Sequence, residues 1–277
     1  MIAAAPFVRA GDDTRIPLDI RTTRPIVEVF LNGEGPFKFV LDTGSSHTMV
    51  SWDVAKRLQL PEIGSVMVGA PNSQATVRSP QHRIKELRIG DLKFFGVKAV
   101  AIMDDSFTRQ LRADGVVCAQ DFRGYLVTLD YRAREMVVAP GRLPEADGKQ
   151  VLDYTVRHFL PAVELDVMGR KTLFHLDTGS PFNIALPGSL LTTLEYERAP
   201  MMAGTASTIV GTFVVYYGKL AGDIKMGQYT IEKPSVEVMD KMPLGNLGYR
   251  FFRDYRVTFD YAAQRVRLVH WSEPRQP

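Results

Sequence analysis

The sequence predicts an all-β fold of two lobes related by pseudo-twofold symmetry, with short helices only. Three observations carry that expectation. The tetrapeptide Asp-Thr-Gly-Ser occurs twice, as Asp42-Thr43-Gly44-Ser45 and as Asp177-Thr178-Gly179-Ser180. Each copy ends an apolar, β-favouring run, Phe37-Lys38-Phe39-Val40-Leu41 in one case and Thr172-Leu173-Phe174-His175-Leu176 in the other, which is the composition of a buried strand. Finally, Phe122, Tyr125, Val127, Thr128, Asp130 and Tyr131 return 130 positions later as Phe252, Tyr255, Val257, Thr258, Asp260 and Tyr261.

Taken in chain order, strands are expected at residues 16–20, 25–31, 37–41, 76–77, 84–89, 97–102, 126–129 and 136–139, with a comparable series in the second half. Gly and Asp punctuate them. Asn32-Gly33 is a hairpin turn signal, so the strands on either side of it form a hairpin that delivers Asp42. Ser51 can cap a helix that runs to Leu58, and short helices also fit residues 120–125, 187–194 and 249–255. In the second half Val163-Glu164-Leu165 and Met168-Gly169 repeat the hairpin and deliver Asp177. Leu87-Arg88-Ile89-Gly90 matches Asp223-Ile224-Lys225-Met226-Gly227, and Gly115-Val116-Val117 sits opposite Gly245-Asn246-Leu247. The two aspartates are 135 positions apart, so the halves differ by a few loop insertions and deletions. Residues 140–150, with Gly, Pro, Glu and Asp, read as the connection between lobes 1–145 and 146–277. An internal repeat of this extent makes each half one structural unit.

Composition agrees. The 277 residues are 45% hydrophobic, enough for a sizeable core, and halves of about 140 residues each have the usual size of a domain. The net charge is +3, with Lys and Arg scattered and no basic stripe, which argues against nucleic acid as a partner. One cysteine, Cys118, allows no intramolecular disulfide and, with the histidines unpaired in spacing, no zinc motif. No stretch approaches the roughly 20 apolar residues of a membrane span. Residues 1–10 lack a signal-peptide core, which leaves a cytoplasmic protein, or a periplasmic or secreted one whose export signal has been removed. Residues 1–15 read as a poorly ordered terminus or as a pro-segment over the site.

The doubled motif carries the chemistry. Two carboxyls held about 3 Å apart do not both ionise cheaply, so one keeps its proton while the other is charged. The charged member can take a proton from a water between them while the protonated member donates to a carbonyl under attack. Asp42 and Asp177 are the candidate catalytic pair. In the supporting loops, Thr43 and Thr178 can tie the halves together by hydrogen bonds across the axis. Gly44 and Gly179 allow a close approach that a Cβ would block, and Ser45 and Ser180 can donate to the outer carboxylate oxygens. Neither metal nor cofactor is required.

These segments, together with Gly115-Val116-Val117 and Gly245-Asn246-Leu247-Gly248, resemble the aspartic peptidases, the superfamily of pepsins and retropepsins. Asp121-Phe122 and the Val-Thr-Xaa-Asp-Tyr strands look most like bacterial retropepsin-like peptidases in which two such domains are fused. The resemblance implies a bilobal acid-protease fold, a cleft between lobes that takes a peptide or protein substrate, and hydrolysis by an activated water without a covalent intermediate. Because one chain holds both aspartates, it also implies an active monomer. Flaps over the cleft are expected at about residues 64–81 and 201–218, with Val68, Gly69, Met202 and Gly204 as substrate contacts. Their apolar residues, Val66, Met67 and Val68 with Met201 and Met202, predict apolar side chains beside the scissile bond. Two departures stand out: Cys118 replaces the glycine found at Gly248, and the first flap lacks a tyrosine where the second has Tyr216 and Tyr217.

Other residues read as structural. His47, His82, His158, His175 and His270 have surface or packing roles, Ser45-Ser46 lacks the Gly-Xaa-Ser-Xaa-Gly elbow of a serine hydrolase, and Asp130 and Asp260 fit hairpin turns. Three alternatives to the protease stay open: two structural turns in a duplicated β protein, an inactive relative that binds peptides or protein partners, and a glycoside hydrolase, whose carboxylates need separations of about 5 Å or more.

Overall fold

The computed structural model describes residues 13–69, 76–103, 105–208 and 211–273. Of the expected terminal segment 1–15, residues 1–12 lie outside these, whereas Thr14 and Arg15 are part of a strand, Thr14–Pro17, paired with Glu135–Ala139. Parts of both flaps at residues 70–75 and 209–210 and the last residues of the chain also lie outside. The described residues form a predominantly β, two-lobed fold with three sheets and a few short helices.

Each lobe hangs its aspartate from the same arrangement of strands. In the first lobe Ile26–Leu31 and Glu34–Asp42 form the expected hairpin. Its two-residue turn at Asn32 and Gly33 has both residues at positive φ, 52° and 88°, the backbone that Asn-Gly favours. The second strand runs parallel to Gly115–Cys118, which pairs antiparallel with Met49–Ser51. In the second lobe Leu160–Val167 and Arg170–Leu176 form the hairpin, again turning through positive φ at Met168 and Gly169. Arg170–Leu176 runs parallel to Gly245–Leu247, which pairs antiparallel with Ile184–Pro187.

A six-stranded sheet joins the lobes. At its centre Leu126–Asp130 of the first half pairs antiparallel with Tyr255–Asp260 of the second. The register sets Thr128 against Thr258, with their hydroxyls 2.9 Å apart, so the pseudo-twofold axis passes between the two threonines. The block that repeats in the sequence is thus the pair of strands that meet at the axis. A continuous core runs through both lobes, from Val29, Phe39 and Phe94 to Phe174, Phe252 and Phe259.

The helices are shorter than expected. Trp52–Arg57 is α-helical, and the Ser51 hydroxyl accepts from the Val54 N–H as an N-cap. Residues 120–125 and 187–194 yield only the 3-10 turns Ala119–Phe122 and Gly188–Leu190, and residues 249–255 give Tyr249–Phe252. The helix Asp105–Leu111, absent from the sequence reading, lies in the first lobe before Gly115–Cys118. Asp130 and Asp260 cap tight turns as expected: Asp130 accepts from the Ala133 N–H, and Asp260 from those of Ala262 and Ala263.

Candidate active site

The parallel ladders bring both motif loops to the axis. Asp42 ends its strand in register with Cys118, and the Asp177 N–H donates to the Leu247 carbonyl one step beyond the equivalent ladder (2.9 Å). The buried strands leave little freedom in where each loop begins, because each strand is paired with a neighbouring strand on both sides.

The threonines lock the loops to each other. Thr43 Oγ1 donates to the Leu176 carbonyl and Thr178 Oγ1 to the Leu41 carbonyl, both at 2.7 Å. Each hydroxyl also accepts from the other residue's N–H, at 3.1 Å to Thr178 Oγ1 and 3.0 Å to Thr43 Oγ1. Four buried hydrogen bonds are thereby exchanged symmetrically, and none of the groups is left to water.

The glycines bring the carboxyls together. A Cβ on Gly44 would overlap the Asp177 carboxyl, and one on Gly179 would overlap that of Asp42. Each aspartate therefore sits over the opposite loop, close enough for the two carboxyls to act on each other. Although both residues keep part of their surface open, the carboxyl groups lie deep. Burial, reinforced by the neighbouring Asp177 charge, pushes Asp42 well above the ordinary carboxylate range. Burial raises Asp177 too, but hydrogen bonds from Asn246 and Ser180 oppose it, as does the Arg24 charge. The two members are unequal in donors: Asp42 Oδ1 accepts from the Gly44 N–H (2.6 Å), whereas Asp177 accepts from Asn246 Nδ2 (2.8 Å) and the Ser180 N–H (3.0 Å).

All eight motif residues from the sequence reading converge here, with one correction. The serine hydroxyls do not serve the carboxylates. Ser45 Oγ donates to the His47 carbonyl (2.7 Å), and Ser180 Oγ faces the Phe182 N–H; both close their own turns, and backbone N–H groups take the carboxylate role instead. Cys118 and Gly248 differ for a local reason. A Cβ at Gly248 would collide with the Phe182 and Ser180 carbonyls, while in the first lobe the thiol of Cys118 fills the equivalent space and donates to the Ser45 carbonyl (2.9 Å). Burial raises that thiol well above its ordinary range, so it stays neutral. His47 contacts Ser46 Oγ through Nδ1 (2.9 Å).

Two residues at the site escaped the sequence reading. Asn246 is a polar residue in an otherwise apolar buried strand, a visible signal whose use was not. Arg24 Nε donates to the Gly179 carbonyl (2.6 Å), and its charge acts on both aspartates. It therefore ties the first lobe to the loop of the second.

The flap segments are β-hairpins. Glu62–Gly69 pairs with Thr76–Ile89, and Tyr196–Thr208 with Gly211–Leu220. Val68 is turned inward and Gly69 is exposed, while Met67 is 59% exposed. On the second hairpin Met201 and Met202 stand 71% and 65% exposed, opposite Tyr217 and Tyr216. A bulge separates Met202 from Gly204, whose φ of 145° suits a residue without a side chain.

A family model described as aspartyl protease matches residues 27–117 and again residues 163–251, one match in each half and well over half of the chain together. Among curated proteins no sequence matches.

Proposed function

The chain belongs to the aspartyl protease family, with two fused copies of the family's domain, and from that premise we propose that it is an aspartic endopeptidase whose catalytic pair is Asp42 and Asp177. The observation that carries the reading is the close approach of two deep carboxyls, each seated over the glycine of the opposite loop. Two carboxyls that face each other closely hold one proton between them over a broad pH range. The ionised carboxylate takes a proton from a bound water, and the water oxygen attacks the peptide carbonyl. The protonated carboxyl donates to the carbonyl oxygen, and proton return to the amide nitrogen lets the C–N bond break. No covalent intermediate forms.

The lobes divide near residue 145, within the segment that links Glu135–Ala139 to Val151–Asp153. The two hairpins supply the substrate contacts, from Gly69 with Val68 behind it and from Met202 and Gly204. Exposed Met67, Met201 and Met202 favour apolar side chains beside the scissile bond. A peptide or protein is the substrate, and one chain suffices.

Peptide cleavage profiling over a proteome digest tests this reading. Wild-type protein is expected to cut at sites enriched in apolar residues, and Asp42→Asn to cut nothing. An inactive, peptide-binding relative would instead retain peptides with both proteins and cleave with neither.

A further inference from the structure

The two lobes differ beneath their aspartates in one respect that the symmetry does not require. In the first lobe the strand positions under Asp42 hold Val40 and Val116, paired in register and buried in a small apolar cluster with Ile26 and Leu111. The equivalent pair in the second lobe is His175 and Asn246, also in register and also buried. An apolar pair on one side is thus a polar pair on the other. Burying an amide and an imidazole is costly unless they are hydrogen-bonded, and Asn246 spends its Nδ2 on Asp177 Oδ2 at 2.8 Å. Its Oδ1 has no hydrogen-bond partner, nor has either ring nitrogen of His175.

We propose that Asn246 is the positioning residue that distinguishes the two aspartates, fixing Asp177 as the ionised, water-activating member and leaving the proton on Asp42. The proposal rests on the protease reading for its chemistry but not for its electrostatics. An amide N–H can donate to a carboxylate and stabilises the charged form; Val116 can donate nothing. The remaining charged or titratable groups around the pair do not supply the distinction. Arg24 acts on both carboxyls. Cys118 and Tyr261 lie nearer Asp42 and are held neutral by burial. His175, with His158 at 6.0 Å between ring centroids, is held neutral by burial and by His158. The backbone donors are matched in number, Gly44 N–H on one side and Ser180 N–H on the other, so the amide of Asn246 is the unmatched donor.

The test compares wild type with Asn246→Val, which copies Val116, and Asn246→Ser, which keeps a short donor. The acid limb of the kcat/KM profile is expected to move upward by roughly one pH unit in Asn246→Val, the worth of one charge-assisted hydrogen bond, and by less in Asn246→Ser. A general loss of rate with an unmoved limb would overturn the proposal, since that is what a packing defect gives. Carboxyl-carbon NMR on the unmodified protein, assigned with Asp42→Asn and Asp177→Asn, reads the same property without activity. Asp177 is expected to lose its proton at lower pH than Asp42, and the reverse order, or equal titration, would overturn the assignment even if Asn246→Val does not fold. A protein that cleaves no peptide yet titrates in the expected order would refute the protease reading alone.

Discussion

Thr43 and Thr178 exchange four hydrogen bonds across the pseudo-twofold axis, each hydroxyl donating to the carbonyl that precedes the other's aspartate and accepting from the other's N–H. The exchange fixes the separation of the carboxyls through two short, β-branched hydroxyl side chains bonded to backbone groups, so the geometry of the pair does not depend on long, flexible side chains.

Replacing either threonine by valine preserves shape and removes two of these bonds, leaving a buried carbonyl and a buried N–H unpaired. Thr43→Val and Thr178→Val are each expected to lose about 2–4 kcal/mol of stability, read as a lower denaturant midpoint. The double variant removes all four bonds and should lose less than the sum, because the first change already loosens the loop contact that the remaining two bonds span. Full additivity would show that the exchange is not a unit.

Gly44 faces a carboxyl instead of empty space. Gly44→Ala places a methyl group on Asp177, and the displacement is expected to cut turnover at least about a hundredfold while the circular dichroism spectrum is retained. Near wild-type turnover would mean that the loops separate easily and that the close approach is incidental.

Asp42 links activity to stability. Its carboxyl titrates well above the unfolded value because of burial and the Asp177 charge. For an acid raised in this way, the unfolded chain releases its proton first, so stability falls as pH rises from the unfolded pKa toward the folded one. Asp42→Asn removes that cost. The variant is therefore expected to be inactive yet more resistant to denaturant than wild type near neutral pH, with the difference closing below about pH 4. Equal midpoints at neutral pH would contradict the raised pKa.

His175 imposes the opposite slope. Burial, helped by His158, lowers its pKa from 6.5 to about 4. A base depressed in this way contributes fully above the unfolded value, and its contribution is lost as pH falls from 6.5 toward 4, because only the unfolded state gains the proton there. The shift corresponds to about 3 kcal/mol. His175→Val, the residue type at Val40, is expected to flatten the acid side of the stability profile between those values. An unchanged slope in denaturant titrations at several pH values would show that His175 is solvated.

Much of the fold was legible because it is written twice. The turns at Asn32-Gly33 and Met168-Gly169, the strands before each aspartate and the Ser51 cap each rest on local chemistry that a sequence displays. The tasks of Thr43, Thr178, Gly44 and Gly179 were legible too, since a hydroxyl and a missing Cβ at equivalent points of a symmetric site have few uses. What lay beyond reach depends on pairing over distance. The sequence shows that Thr128 and Thr258 are equivalent but not that they meet. It shows that Asn246 replaces Val116 but not that its amide reaches Asp177, and nothing local marks Arg24 as a neighbour of Gly179. Ser45 and Ser180 were misassigned because a hydroxyl that suits a carboxylate suits a turn equally well, and the nearer backbone partner won.

The most direct measurement is kcat/KM for one peptide taken from the wild-type cleavage profile, determined for wild type, Asp42→Asn and Asp177→Asn at matched folded concentrations. The account predicts that both variants fall to the background rate while remaining folded, and that wild-type specific activity does not change on dilution. Wild-type turnover in either variant would contradict the assignment of Asp42 and Asp177 as the catalytic pair.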